Sequence, residues 1–147
     1  MSIVFDMLLN GTLAFVGTIG FSIIFNVPRR ELLFCGIGGA MGWLLFTALS
    51  DSPFIGVLLG AMAVTWVSRI LSMRRKKPAT LYMIPGIIPL VPGVGIYFTM
   101  FYIVTGEHYQ ALLRGVQTLG LAGVIALGML IVLSLPRRLI NFGKKVG

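Results

Sequence analysis

Residues 85–95 read Pro85-Gly86-Ile87-Ile88-Pro89-Leu90-Val91-Pro92-Gly93-Val94-Gly95, and they lie inside an apolar stretch, residues 81–104, long enough to cross a membrane. Three prolines and three glycines fall in these eleven positions, with no charge among them. An interior proline removes a backbone donor and clashes one turn back, at a cost of roughly 3 kcal/mol. Lipid offers no water to loose backbone groups, so an irregular segment must line a cavity or pack against protein. The reading is a broken helix: a first half over Leu81 to Ile84, an interruption by the three prolines, and a second half starting near Val94. Broken helices at membrane depth commonly build transporter binding sites. The N-terminus of the second half would aim free N–H groups at an anion, a carboxylate above all. Pro89, Pro92, Gly93, Val94, Gly95, Tyr97 and Thr99 are the candidate substrate-binding residues, the last two as hydroxyl donors. The competing reading is a kinked helix that merely packs.

The rest of the chain puts this segment in a membrane. The 147 residues are 57% hydrophobic and 11% charged, with a mean hydropathy of +0.98. Soluble domains are about 25% charged. Apolar runs fall at about residues 7–25, 32–50, 54–73, 81–104 and 115–135, each near the length a spanning helix needs. The expected fold is a single all-α membrane domain over residues 1–147, a bundle of five transmembrane helices with the fourth broken. A net charge of +8 would suggest nucleic acid in a soluble protein. Here placement explains it, so no nucleic-acid partner is expected. Counting Arg69, eleven of the twelve Lys and Arg fall in or beside alternate connectors, and only Arg114 falls on the other side. Short basic loops stay in the cytoplasm, which orients the N-terminus outside and the C-terminus inside. Asp6 precedes the first span where a signal peptide would carry positive charge, so that span is expected to be retained.

Few groups inside the spans carry chemistry. A charge at a helix centre costs at least ~2.5–3.5 kcal/mol, so such residues usually mark function. Asp6 and Arg69 lie near span ends, and Asn10 and Gln117 are the amides costliest to leave unpaired. With Asn26 they form the candidate pathway or coupling set; an interfacial or packing role is the alternative for each. No central Asp, Glu or His is present, so a coupling group is expected on a partner chain. His108 beside Glu107 lacks further ligands, and no metal or cofactor is expected. HExxH, GxxxxGK[ST] and paired intramembrane aspartates are missing, so the chain is not expected to be an enzyme. Cys35 reads as a small core residue. Gly38 with Gly42, and Gly56 with Gly60, stand at the spacing that lets helices approach closely. Such pairs serve packing within the chain or an interface between subunits.

Phe25-Asn26-Val27-Pro28-Arg29-Arg30, the following Cys35-Gly36 step, and Ile88-Pro89-Leu90-Val91-Pro92-Gly93-Val94-Gly95-Ile96-Tyr97 resemble the small subunit of the threonine/serine exporter family over nearly the whole chain. The resemblance implies a multi-pass protein of the bacterial inner membrane that exports small carboxylates, threonine and serine or succinate-like dicarboxylates. It also implies a proton-driven mechanism and a larger partner subunit of the same family. Pro89, Pro92, Gly93 and Tyr97 in the break, with Asn26 and Pro28 at the first turn, are the matching positions. A scaffold subunit that only stabilises a larger chain, and a small homo-oligomeric channel, are the rival functions.

Overall fold

The computed structural model describes residues 2–49 and 52–136, with side chains from Phe5 onward. Asp51 and the basic residues Arg137, Arg138, Lys144 and Lys145 lie outside the described residues. Six α-helices appear, and no strand, among the described residues: α1 (Ser2–Ile24), α2 (Leu32–Ala48), α3 (Pro53–Arg75), α4 (Thr80–Ile87), α5 (Gly93–Val104) and α6 (His108–Ser134). A short 3₁₀ turn, Ile88–Leu90, follows α4.

Local chemistry sets these ends. Past α1, Asn26 takes a left-handed conformation, φ 55°. The Val27 N–H donates back to Ser22 O at 2.9 Å, closing the helix before Pro28 as a left-handed C-terminal cap does. α3 opens on Pro53, whose missing donor costs nothing at the first helical position. It closes on Lys76, also left-handed at φ 53°.

α1, α3 and α6 are each long and apolar enough to cross a membrane. The broken pair, Thr80–Leu90 with Gly93–Val104, passes the same test together and bends by 52°. That makes three such helices, or four with the bent pair, among the described residues. The expected span at 32–50 corresponds to α2, which has 17 residues. At ~1.5 Å per residue it stands at the short end of spanning lengths.

One expectation needs correcting. The three prolines do not all interrupt the fourth span: α4 runs through Pro85 to Ile87. Pro85 has no N–H to give Leu81 O one turn back. That carbonyl instead accepts the Cys35 thiol of α2 at 3.6 Å, so another helix supplies the missing donor. The regular path ends later, at Val91 and Pro92, where Val91 turns extended with ψ 131°. The second half then begins at Gly93, one residue before the expected start.

α4 lies against α2 and α3. Val57, Ala61 and Val64 of α3, Met83 and Ile87 of α4, Leu90 and Ile125 form the main core. Val27, Cys35 and Tyr82 form a separate cluster at the other end of α4. Gly42 and Gly60 let α2 and α3 touch backbone to backbone: a Cβ on Gly60 would stand 2.8 Å from Gly42 O. Thr18, Ser22, Thr65 and Ser68 are buried, and each hydroxyl donates to the carbonyl four residues earlier at 2.7 Å. α5 differs from the rest: none of its residues is buried, and its main neighbour is α6.

Candidate functional site

The break opens onto a cavity of about 450 Å³ between the 3₁₀ turn, α5, α6 and the aromatic side chains of α2. Pro89, Pro92, Gly93, Val94 and Gly95 line it, so five of the seven residues expected at the substrate site share one wall. Trp43 and Phe46 form an apolar side, their rings 5.2 Å apart. Arg114, Gln117 and Thr118 of α6 form the polar side.

The backbone explains the polarity of the break. The Gly93 N–H turns back to Val91 O at 2.7 Å, and the Ile96 N–H reaches Pro92 O at 3.1 Å. No side chain caps α5. The first turn of any helix leaves amide donors without intrahelical partners, and here they belong to Val94 and Gly95. Both residues line the cavity. Gly95 is there for closeness: a Cβ at this position would collide with the Thr118 hydroxyl. Glycine therefore lets α5 and α6 meet with the polar residues of α6 at the mouth of the α5 N-terminus.

Tyr97 and Thr99 are not on this wall. Tyr97 is 64% exposed and stacks along its own helix with Phe101, rings 6.4 Å apart. The Thr99 hydroxyl donates to Gly95 O at 2.7 Å. Arg114 was the residue that sequence reasoning passed over. Its signal was its isolation, since it is the one cation away from the basic connectors.

The pathway candidates scatter. Gln117 lines the cavity at the break. Asn10 lines a second cavity, of about 260 Å³, on the far side of Trp43 and Pro89, which belong to both walls. Asn26 lines a third, of about 200 Å³, beside Pro85. Asp6 is exposed on α1. Arg69 closes the end of α6, donating from one nitrogen to Val132 O and from another to Leu135 O at 2.8 Å. These bonds satisfy carbonyls that lack internal partners at a helix end, and Arg69 also lines a cavity of about 470 Å³ with Ser72, Lys76 and Lys77.

Glu31 is the second residue that sequence reasoning missed. It is buried, and its carboxylate accepts Arg75 Nε at 2.5 Å and the Tyr82 hydroxyl at 2.8 Å. The Arg75 guanidinium lies over the Phe34 ring, 4.3 Å from its centre. The Arg75 hydrogen bond holds the Glu31 carboxyl below its usual range against the opposing effect of burial, with Tyr82 and the charge of Lys77 helping. Among the described residues no group of three or more His, Cys, Asp or Glu is placed to hold a metal.

A sequence model of the family described as Threonine/Serine exporter, ThrE, matches residues 10–135. A Haemophilus influenzae protein described only as uncharacterized is 28% identical over 112 residues, which cover 74% of this chain and 36% of that protein. The chain thus spans about a third of the length of that relative. No solved structure matches it. The family match reaches into every helix and covers both sides of the cavity at the break, and the chain belongs to the threonine/serine exporter (ThrE) family.

Proposed function

We propose that this chain is a subunit of a secondary transporter that exports small carboxylates, threonine and serine or succinate-like dicarboxylates, across the bacterial inner membrane. It works with a larger subunit of the same family and is driven by protons. The observation that carries the reading is the cavity at the break, where the uncapped N-terminus of α5 faces the same space as Arg114 and Gln117. Helix amides and a guanidinium are complementary to a carboxylate, while Trp43 and Phe46 suit an apolar stem. A dicarboxylate or an amino acid offers such a group.

The topology proposed with it has five spans, α2 included, an outside N-terminus and a cytoplasmic C-terminus. The larger partner is supported by one feature: no residue of α5 is buried within the chain.

Reconstitution into proteoliposomes with and without the larger family subunit tests the reading. The pair is expected to export threonine or succinate, and this chain alone is not. Full-rate transport by this chain alone would refute the two-subunit part. In the active pair, Arg114→Gln is expected to raise KM about tenfold, the size of one charge-assisted hydrogen bond. An unchanged KM with normal membrane insertion would remove Arg114 from the site. Transport that is lost with the partner's own residues but insensitive to every change at the break would leave this chain as a scaffold.

A further inference from the structure

Away from the cavity at the break, two side chains from two helices converge on one buried carboxylate. Glu31 stands at the end of the α1–α2 connector, Arg75 is the last residue of α3, and Tyr82 lies in the first turn of α4. Glu31 is buried but the Arg75 side chain is 33% exposed, and a partly exposed ion pair contributes little to stability alone. Such pairs are better suited to fixing one arrangement against another.

The element they hold is short and irregular. α4 has eight residues. Pro85 interrupts its hydrogen-bond ladder near the middle, and the extended Val91 ends the segment. Beside it lies the cavity of about 200 Å³ whose wall includes Asn26, Thr80, Ile84 and Pro85. The start of α4 rests on the small cluster of Val27, Cys35 and Tyr82, separate from the main core. Losing the contacts of Tyr82 would free that start and leave Met83 and Ile87 in the main core as the pivot.

We propose that Glu31, Arg75 and Tyr82 form a latch that holds the first half of the broken helix docked, and that its release is a local movement of α4 which opens the end of the break away from α5. Glu31 and Tyr82 act as positioning residues. The latch holds through neutral pH. The groups facing Glu31 are Arg75, Tyr82, Lys77 and the Cys35 thiol, and the cations among them keep the carboxylate charged.

The molecule carries its own reporter. Cys35 is the single cysteine of the chain, has no exposed surface, and its thiol lies under α4 against Leu81 O. Release of α4 uncovers it. The test is the rate at which a membrane-permeant maleimide labels Cys35 in the full chain in liposomes. Val132→Cys, placed in a Cys35→Ser background, serves as a control for general loosening, because Val132 is 1% exposed and lies on α6. Glu31→Gln is expected to speed Cys35 labelling about tenfold, the loss of a charge-assisted hydrogen bond. Tyr82→Phe, which spares the ion pair, should speed it about threefold. The control cysteine should stay slow in both. Unchanged Cys35 rates, or a control that accelerates in step, would overturn the latch. If Glu31→Gln does not insert, Tyr82→Phe decides alone: a rate equal to that of the parent chain rejects the proposal.

Discussion

Single atoms decide two of the features above. At Gly95 the absence of a Cβ admits the Thr118 hydroxyl, and α5 sits on α6 because of it. Gly95→Ala should lower thermal stability in detergent by about 1–3 kcal/mol, the usual cost of overpacking. Thr118→Ala in the same chain should restore part of the loss, because it removes the colliding oxygen. Melting curves of the two variants check this, and an undiminished Gly95→Ala would mean that the helices are free to part. At Glu31 the sign of the pH effect follows from its neighbours. Its folded pKa is depressed, chiefly by the Arg75 hydrogen bond. The stabilisation it contributes is therefore complete above the ordinary glutamate pKa and is lost as pH falls through the depressed value. Cys35 labelling, corrected for thiol ionisation with the same chain in denaturant, should stay flat across neutral pH and rise only in acid. A rise already near neutrality would mean that the pair does not hold the carboxylate charged.

Among the elements, the broken span carries the reading of the whole chain. Replacing Pro92 and Gly93 together by alanine gives the backbone a donor and a helix former where it now turns. The double variant should straighten the junction and cut transport by the pair at least about tenfold, with normal expression. Unchanged transport would remove the break from the mechanism. How much of this was legible differs by element. The apolar runs of α1, α3 and α6 and the bend of the fourth span were legible because lipid enforces helix length and punishes unpaired backbone, whereas the run at 32–50 forms a helix of only 17 residues. Pro85 misled, because its cost is met by a thiol on another helix, 46 residues away in sequence. Periodicity carries no sign of such a partner. Five residues of the break reached the cavity wall, as their backbone geometry required, whereas Tyr97 turned outward. Which face a helix presents depends on its neighbours, and α5 has little besides α6. Glu31 and Arg75 read as ordinary members of charged connectors. Their pairing emerges only when two connectors meet over α4.

As a whole molecule the fold is lopsided. α2, α3 and α4 share glycine-lined contacts and a buried core, while α5 offers Val94, Tyr97, Met100 and Val104 to its surroundings. In lipid such a surface needs no cover, and against a second subunit it would be the face with most to bury. Two-subunit transport and a lipid-facing α5 therefore make different demands on the same residues, and the reconstitution described above separates them. Arg69 sits within α3, yet both carbonyls that receive its guanidinium belong to residues 132 and 135, at the far end of the chain. That arginine lies near the basic end of α3, beside Lys76 and Lys77 in one cavity wall, and it satisfies carbonyls at the last turn of α6 that have no partner within their own helix. The two ends of α3 and α6 are thus tied by one half-buried guanidinium, and the contact between these helices depends on residues 63 and 66 positions apart in the sequence.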